Sequence, residues 1–364
     1  MKPTISIITS AYNAEATLDR CLESILTQSL RDIEVLCIND GSTDGTQEVL
    51  NRWEKRDARV RIWQFEENKG FMAAENLAIR ESSGKYVMFV DSDDRLLPGA
   101  CENLVRLIEK YDVDVLQFRI KVTVPPGRDE SILKRMLASN NWTSEGISIL
   151  YDCFSMHRFT LNICNKVFRG NVCRAAAASM PDLRLSAAAD VLQSFFFLYY
   201  AKTFRSVTDG PYYEYFIGNG VWTHAPTAEQ FTRLCRASAI LPAIEEFLRK
   251  ENALENNRFL LDAIGIVIKS GVQEKLLAMQ EITPEIMDLA VKTWGNDVIY
   301  DFIKATGLLD VKCKSRYQLV TTLVNQIRKQ QSSTSAGETA ISVGGHNAAL
   351  PALGMRSAQN EEKK

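Results

Sequence analysis

The chain has little of what would place it in a membrane, on nucleic acid or in a disulfide-linked fold. It has no apolar run near the length of about 18 residues that a spanning helix needs, and Met1 to Thr4 leads straight into a predicted strand, without a leader of the secretory type. Its eight cysteines include no CxxC pair, which favours buried thiols over zinc or disulfides. The net charge of −2 indicates no general affinity for nucleic acid. We therefore expect a cytoplasmic protein.

The most informative stretch runs from Tyr86 to Asp94. Tyr86 to Val90 is a continuous apolar run, which predicts a strand buried on both faces. Asp91, Asp93 and Asp94 follow it, and in open α/β sheets ligands bind beyond the carboxyl ends of the strands. Carboxylate oxygens there suit Mg²⁺ or Mn²⁺. The same acids are also typical of a helix start, because a helix is predicted from residue 99 onward.

Four strand–loop–helix units follow one another at the start of the chain. The strands are predicted at 5–8, 33–38, 60–65 and 86–90, each before an amphipathic helix, and Asn13 is a candidate cap for the first helix. This succession predicts an α/β fold, with a mostly parallel sheet, right-handed crossovers and flanking helices. Asp40, Asn68, Asp91 and Asp93 should then line one crevice. Each could also be present only because Asp and Asn are common in turns.

The middle of the chain continues the α/β pattern less regularly. We expect a fifth strand from Val113 to Val122, a loop or short helix at 123–146, a short strand from Lys166 to Arg169 and an apolar helix from Asp190. Two more strands are expected near 204–207 and 212–217. We take residues 1–225 as one domain on this basis.

Beyond residue 225 the pattern becomes helical. Helices are predicted at 228–250, 253–279, 284–294, 297–306 and 314–330, giving an all-α region over 226–331. The segment 312–330 is basic and amphipathic, so it either contacts an anionic membrane surface or packs on the protein by one face. Residues 332–364 are rich in Ser, Ala, Gly and Asn and are expected to be disordered.

Three motifs give the chain a resemblance to a known family. SIITSAYNAEATLDRCLESILTQSLRDIEVLCINDGSTDGT, ENKG and YVMFVDSDD, in this order and spacing, resemble the amino-terminal half of the family 2 inverting glycosyltransferases, which have a Rossmann-like GT-A fold. The resemblance covers about residues 4–122 strongly and extends more weakly to about 220. It implies the following donor-site residues: Thr9, Ala11, Tyr12 and Asp40 for uracil and ribose, Asn68 and Lys69 near the nucleotide, and Asp91 and Ser92 towards the ribose and sugar.

The resemblance also implies a metal and a base. Asp93 would ligate the Mn²⁺ or Mg²⁺ that bridges the two phosphates, and His224 is a second candidate for contact with metal or phosphate. Asp190 would be the catalytic base, since it follows the block Asn165 to Arg169 and lies 97 positions beyond Asp93, a plausible distance for that base. Family members commonly have an acid where this chain has Ala189, an arginine where it has Glu75 and another arginine after residue 217.

The resemblance implies a metal-dependent glycosyltransferase with a UDP-sugar donor. A hexose or N-acetylhexosamine would move onto a glycan or lipid-linked saccharide, in bacterial surface polysaccharide synthesis, at the inner face of the cell membrane if the basic helix binds there. A nucleotide-sugar-binding protein with little turnover is the alternative that Ala189 keeps open. A sugar nucleotidyltransferase would need a glycine-rich loop, and Thr9 to Asn13 contains no glycine. Homo-oligomer formation stays open.

Overall fold

An eight-stranded sheet forms the centre of the protein in a computed structural model, which describes residues 2–124, 139–185, 188–217, 227–279 and 283–295. In chain order, the strands of this sheet and of a second, smaller sheet are β1 (Ile5–Ala11), β2 (Ile33–Asn39), β3 (Val60–Gln64), β4 (Tyr86–Phe89), β5 (Arg95–Leu96), β6 (Val115–Gln117), β7 (Ile120–Thr123), β8 (Trp142–Glu145), β9 (Lys166–Arg169), β10 (Thr203–Ser206) and β11 (Tyr213–Phe216). The large sheet has the order β3-β2-β1-β4-β9-β6-β10-β8, and β5-β11-β7 forms a small second sheet.

The large sheet is mostly parallel, as the sequence predicts. Strands β1 to β4 pair in parallel, as do β6 and β10, whereas β9 runs antiparallel to both of its neighbours and β8 runs antiparallel to β10. All residues of β2 and β4 are buried, because helices cover both faces. The carboxyl ends of β1, β2 and β4 therefore lie together at one edge.

Helices connect and cover these strands. The helices are α1 (Glu15–Leu26), α2 (Thr46–Arg56), α3 (Phe71–Glu81), α4 (Ala100–Tyr111), α5 (Ser148–Phe154), α6 (Gly170–Ser179), α7 (Ala189–Tyr200), α8 (Ala228–Leu234), α9 (Ile240–Lys250), α10 (Arg258–Ala278) and α11 (Pro284–Trp294). Short 3₁₀ helices lie at Cys235–Ala239 and Glu255–Asn257. Seven cysteines in the described residues are free and buried, which confirms that prediction for them.

Residues 113–122 do not form the single strand that the sequence predicts. The chain leaves the large sheet after β6 and enters the small sheet as β7. Between them the amide of Phe118 donates to the carbonyl of Asn165 (3.0 Å), and that of Arg119 donates to Asp209 (3.3 Å). These long-range partners satisfy the backbone at the break, and local periodicity carries no sign of them.

The carboxy-terminal prediction of helices is confirmed where residues are described. The segment predicted at 228–250 is two α-helices joined by a 3₁₀ turn, and α11 matches 284–294. One compact unit contains residues 1–224 and 233–272, so it includes α9. Here Phe247 of α9 packs on Phe196 of α7, with ring centroids 4.8 Å apart.

The second compact unit includes the described residues 227–232, 273–279 and 283–295. In it, the hydroxyl of Thr283 caps α11 by accepting from the amide of Ile286 (3.4 Å). None of the helices in the described part of the chain has both the length and the apolar composition that crossing a bilayer requires. The predictions for 297–306, 312–330 and 332–364 lie outside the described residues, and the domain boundary near residue 225 stays a prediction.

Candidate active site

Asp40 organises the loop that contains Asn68. It follows β2, and its side chain is almost fully buried. One carboxylate oxygen accepts from the amide of Lys69 (2.7 Å), while the other accepts from the amide of Gly70 (2.9 Å) and the Asn68 side chain (3.0 Å). Burial raises the pKa of Asp40, and these hydrogen bonds oppose the rise. Asp40 therefore fixes the loop at 68–70 against the end of β2.

Close backbone contact makes this corner narrow. Gly41 has a φ of +67°, and a Cβ there would lie 2.4 Å from the carbonyl carbon of Glu67. On the outer side, the Arg184 guanidinium donates to the carbonyl of Asn68 (2.6 Å). The exposed Lys69 ammonium lies over the Phe65 ring, 4.8 Å from its centroid. The segment containing Arg184 thus holds the loop in place, a role that the sequence analysis missed.

The end of β1 lies beside this corner. The carbonyl of Ala11 accepts from the amide of Asp40 (2.8 Å), and the ring of Tyr12 is exposed. The Thr9 hydroxyl is buried and has no hydrogen-bond partner among the described residues. Asn13 does not cap α1, contrary to the prediction: its side chain accepts from the amide of Thr43 (2.9 Å) and joins the two loops.

The three aspartates after β4 have different surroundings. Asp94 is buried, and its carboxylate accepts from the Tyr213 hydroxyl (2.7 Å) and the amide of Phe216 (2.7 Å). Asp91, Ser92 and Asp93 are only half-buried. Apart from the backbone of Asp93 itself, no described residue donates a hydrogen bond to the carboxylate of Asp91 or Asp93. Helix α4 begins at Ala100 without a side-chain cap, so none of these acids caps it.

Electrostatics at this loop favour a cation. Burial, followed by the charges of Asp93 and Asp190, raises the pKa of Asp91. Burial also raises the pKa of Asp93, which the Arg20 guanidinium opposes. Arg20 donates to the carbonyl of Asp93 and lies 3.9 Å from the centroid of the Phe216 ring. Arg20 was not among the predicted site residues, since nothing in the pattern of α1 distinguishes it from a solvent-exposed arginine.

Asp190 lies near the same edge of the sheet, since its charge acts on Asp91. It lies in the first turn of α7, where the helix dipole favours a carboxylate. Ala188, just before it, has a φ of +58°, an uncommon conformation for alanine. Burial raises the pKa of Asp190 to about 6, and the charge of Lys166 opposes that rise. Because Asp190 in turn raises the pKa of Asp91, the two carboxyls share one site.

Helix α7 is fixed to the rest of the site by two buried contacts. Gln193 donates to the carboxyl of Glu75 on α3 (2.5 Å), and both side chains are buried. Burial raises the pKa of Glu75 well above its usual range, and the charges of Asp91 and Asp190 add to the rise. Phe197 packs on Phe89 and Phe168, with centroids 5.7 and 5.0 Å away. Sequence reasoning noted Glu75 but not its partner on α7.

The acids fit a metal that is shared with a phosphate ligand. In the described part of the chain, no three His, Cys, Asp or Glu side chains are grouped to hold a metal. Mg²⁺ commonly takes one or two carboxylates and completes its shell with substrate phosphates and water. Asp93 and Asp91 offer such carboxylates. Their negative charges repel each other, and a dication would relieve that repulsion. His224 lies outside the described residues.

The fold of the described residues is the GT-A fold. A solved structure of residues 1–349 of Staphylococcus aureus TarS in complex with UDP-GlcNAc superposes with a TM-score of 0.54 at 19% identity, over 84% of this chain and 90% of that one. At this identity the likeness establishes the fold. The GT-A architecture expected from the sequence is confirmed.

Sequence comparison supports the family resemblance. Residues 6–165 match the model of Glycosyl transferase family 2, so the resemblance to this family is confirmed over that part of the chain. Glycosyltransferase GlyA of Streptococcus pneumoniae is 40% identical over 111 residues, which are 30% of this chain and 16% of GlyA. The putative teichuronic acid biosynthesis glycosyltransferase TuaG of Bacillus subtilis is 42% identical over 94 residues, 26% of this chain and 37% of TuaG. The chain thus spans well under half the length of these curated relatives.

Proposed function

We propose that the protein is a metal-dependent inverting glycosyltransferase that moves a hexose or N-acetylhexosamine from a UDP-sugar to a glycan or lipid-linked acceptor. The observation that carries this proposal is the convergence of Asp40, Asp91, Asp93 and Asp190 at one edge of a GT-A sheet. These acids come from the ends of β2 and β4 and from the start of α7. The nucleotide, the diphosphate and the acceptor would each bind at a different part of that edge.

The donor nucleotide would bind between the ends of β1 and β2. Thr9, Ala11 and Tyr12 would contact the uracil and ribose, and Asp40 would act with the loop of Asn68 and Lys69. The unpartnered Thr9 hydroxyl supports a polar ligand there, because a buried hydroxyl without a partner costs free energy. Tyr12 is exposed enough for its ring to stack on a base.

The diphosphate and sugar would lie against the loop after β4. Asp91 and Ser92 would face the ribose and sugar, and Asp93 would ligate Mn²⁺ or Mg²⁺. When bound, the cation offsets the charge that develops on the departing diphosphate. Arg20 is attached to the backbone of Asp93 and would hold the loop in shape.

Asp190 would accept the proton of the acceptor hydroxyl. In a single displacement, this hydroxyl attacks the anomeric carbon while the UDP oxygen leaves from the opposite face, so the configuration inverts. A base must lie within hydrogen-bond reach of the hydroxyl. Asp190 suits the role because its pKa of about 6 leaves the carboxylate ionised at neutral pH while keeping appreciable basicity.

The relatives support the choice of donor and setting. TarS was crystallised with UDP-GlcNAc, which makes a UDP-sugar the first donor to test. TuaG is described as a teichuronic acid biosynthesis enzyme, which supports a role in surface polysaccharide assembly. Peripheral membrane contact through 312–330 belongs to the same proposal.

The test is release of UDP from a panel of UDP-sugars, with Mn²⁺, Mg²⁺ or EDTA, alongside a binding titration of each donor. We expect one donor to be cleaved only in the presence of metal. Failure to bind any UDP-sugar with either metal would refute the proposal.

One observation favours a second candidate, a nucleotide-sugar-binding protein with little turnover. Ala189, before the proposed base, is 1% exposed and carries no acid. Metal-dependent binding of a donor without transfer to any of several saccharide acceptors would favour this reading. The first loop, Thr9 to Asn13, lacks the glycines that a nucleotidyltransferase would need.

A further inference from the structure

Asp94 is a buried acid without a cation in contact. Its side chain is 1% exposed, and it takes part in none of the ion pairs between described residues. One carboxylate oxygen accepts from the Tyr213 hydroxyl (2.7 Å), and the other accepts from the amide of Phe216 (2.7 Å). Burial of an acid is costly, so the presence of Asp94 here needs an explanation.

Tyr213 joins both ends of the turn that contains Asp93. Its hydroxyl donates to Asp94 and accepts from the amide of Asp91 (3.1 Å). The backbone of the turn also closes on itself, since the amide of Asp94 donates to the carbonyl of Asp91 (3.0 Å). Asp93 lies between these two anchored residues. The shape of the turn 91–94 therefore depends on one phenolic oxygen from another part of the chain.

Tyr213 is itself held firmly, in the middle strand of the small sheet. It pairs with Leu96 of β5 on one side and with Ile120 of β7 on the other, and its side chain is fully buried. The next residue, Glu214, forms one ion pair with β5 (2.5 Å) and one with β7 (2.7 Å). These contacts fix β11 against both neighbouring strands, so the hydroxyl of Tyr213 has a defined position.

The three acids of the turn differ in their access to a cation. Both oxygens of Asp94 already accept hydrogen bonds, whereas Asp91 and Asp93 are only half-buried. Mg²⁺ keeps waters and phosphate oxygens in its shell, and these need space beside the carboxylate. A side chain as buried as Asp94 leaves no such space. Its contacts suit an anchor of the turn better than a metal ligand.

We propose that Tyr213 is a positioning residue for the metal, which acts through Asp94 to hold the turn 91–94 in the shape that presents the carboxylate of Asp93 to the cation. This inference rests on the proposed function, in which Asp93 ligates Mn²⁺ or Mg²⁺. In this assignment Tyr213 touches neither the cation nor the donor.

Tyr213→Phe tests the proposal, because it removes the hydroxyl and retains the buried ring. We would measure the Kd of UDP by calorimetry in Mn²⁺ and in EDTA, well below Tm. The ratio of the two values gives the contribution of the metal to binding. We expect the Kd in EDTA to be unchanged and the ratio to fall about 10-fold, which is the usual effect of losing a hydrogen bond to a charged group.

Tyr86→Phe provides the matched control. Tyr86 is also buried and lies at the opposite end of β4, where its hydroxyl donates to Glu109 (3.4 Å). We expect this change to leave the Kd of UDP unchanged in both Mn²⁺ and EDTA. A Tyr213→Phe protein with a lower Tm but an unchanged ratio would show a structural role alone and overturn the proposal.

Asp94→Asn shows whether Tyr213 acts through Asp94. The asparagine still accepts from the amide of Phe216 but turns its NH₂ group towards the Tyr213 hydroxyl, so the bond between the two side chains is lost. We expect the same fall in the ratio, about 10-fold, and little further fall in the double variant, since both changes remove one shared bond. Losses that multiply in the double variant would overturn the assignment. If Tyr213→Phe does not fold by circular dichroism, an unchanged ratio in Asp94→Asn would overturn it.

The outcomes separate this inference from the proposed function. If UDP binds the unaltered protein equally well in Mn²⁺ and in EDTA, then the metal dependence in the proposed function fails. If Mn²⁺ strengthens binding and the ratio in Tyr213→Phe equals that of the unaltered protein, then only the role of Tyr213 fails.

Discussion

Asp40→Asn separates the proposed donor site from general stability. Asp40 accepts three hydrogen bonds, two at one oxygen and one at the other. If the amide oxygen of asparagine takes the two-bond position, the NH₂ group faces the amide of Lys69. Two donors then oppose each other in a buried place, and a lost bond with an unsatisfied donor costs ~1–3 kcal/mol. We expect the free energy of unfolding to fall by about 2 kcal/mol and Tm by roughly 4–8 °C.

Donor binding should fall along with stability, because the loop at 68–70 loses its anchor. We expect Kd for the UDP-sugar, measured by calorimetry well below Tm, to rise about 10-fold, which is ~1.4 kcal/mol. Asp57→Asn is the matched control: its carboxylate bonds to Arg59 at 2.7 and 3.0 Å, before β3 and away from the proposed site. That change should lower Tm slightly and leave Kd unchanged. Equal affinity in Asp40→Asn and the unaltered protein would refute a role of this loop in donor binding.

Five further predictions concern the metal, the base, the pH profile, core packing and membrane contact. Asp93→Ala should abolish metal-dependent binding of UDP-sugar in a titration with Mn²⁺, and unchanged affinity would refute the metal assignment. Asp190→Asn should lower transfer by ~10²-fold or more with donor Kd nearly intact, whereas normal turnover would exclude it as the base. The kcat of the unaltered protein should rise with pH to a plateau with a midpoint near the pKa of Asp190, about 6, since only the ionised carboxylate accepts a proton; a profile flat from pH 5 to 8 would contradict this. Phe197→Ala should destabilise the protein by ~3–5 kcal/mol in urea unfolding, because the ring joins α7 to β4 and β9. Removal of 312–364 should weaken binding to anionic liposomes. Equal partitioning of both forms would count against membrane contact.

The first half of the fold was predictable because its signals are local. Each of β1, β2 and β4 is a largely apolar, buried run followed by a polar turn, and parallel pairing then places those turns together. Asp40, Asn68, Asp91 and Asp93 could be assigned to one edge without any knowledge of side-chain contacts. Their roles in binding stay predictions, and the structure adds the hydrogen bonds that hold Asn68 to Asp40.

The second half was less predictable because its partners are distant in sequence. The insertion of β9 between β4 and β6 reverses the direction of pairing, and a four-residue strand carries no signal of direction. Lys166 looked like part of a family motif, and its burial became visible only with the carbonyls of residues 160–162 around it. Arg184 and Arg20 lie in segments whose local patterns are ordinary. The contact of His224 with metal or phosphate remains a prediction, since this residue lies outside the described part of the chain.

The most direct test of the central claim compares the unaltered protein with Asp190→Asn on one UDP-sugar, with Mn²⁺ and with EDTA, reading donor binding and UDP release together. We expect metal-dependent binding in both proteins and metal-dependent release only in the unaltered one. Release that continues in EDTA, or that survives in Asp190→Asn, would contradict the proposed roles of the metal and of Asp190.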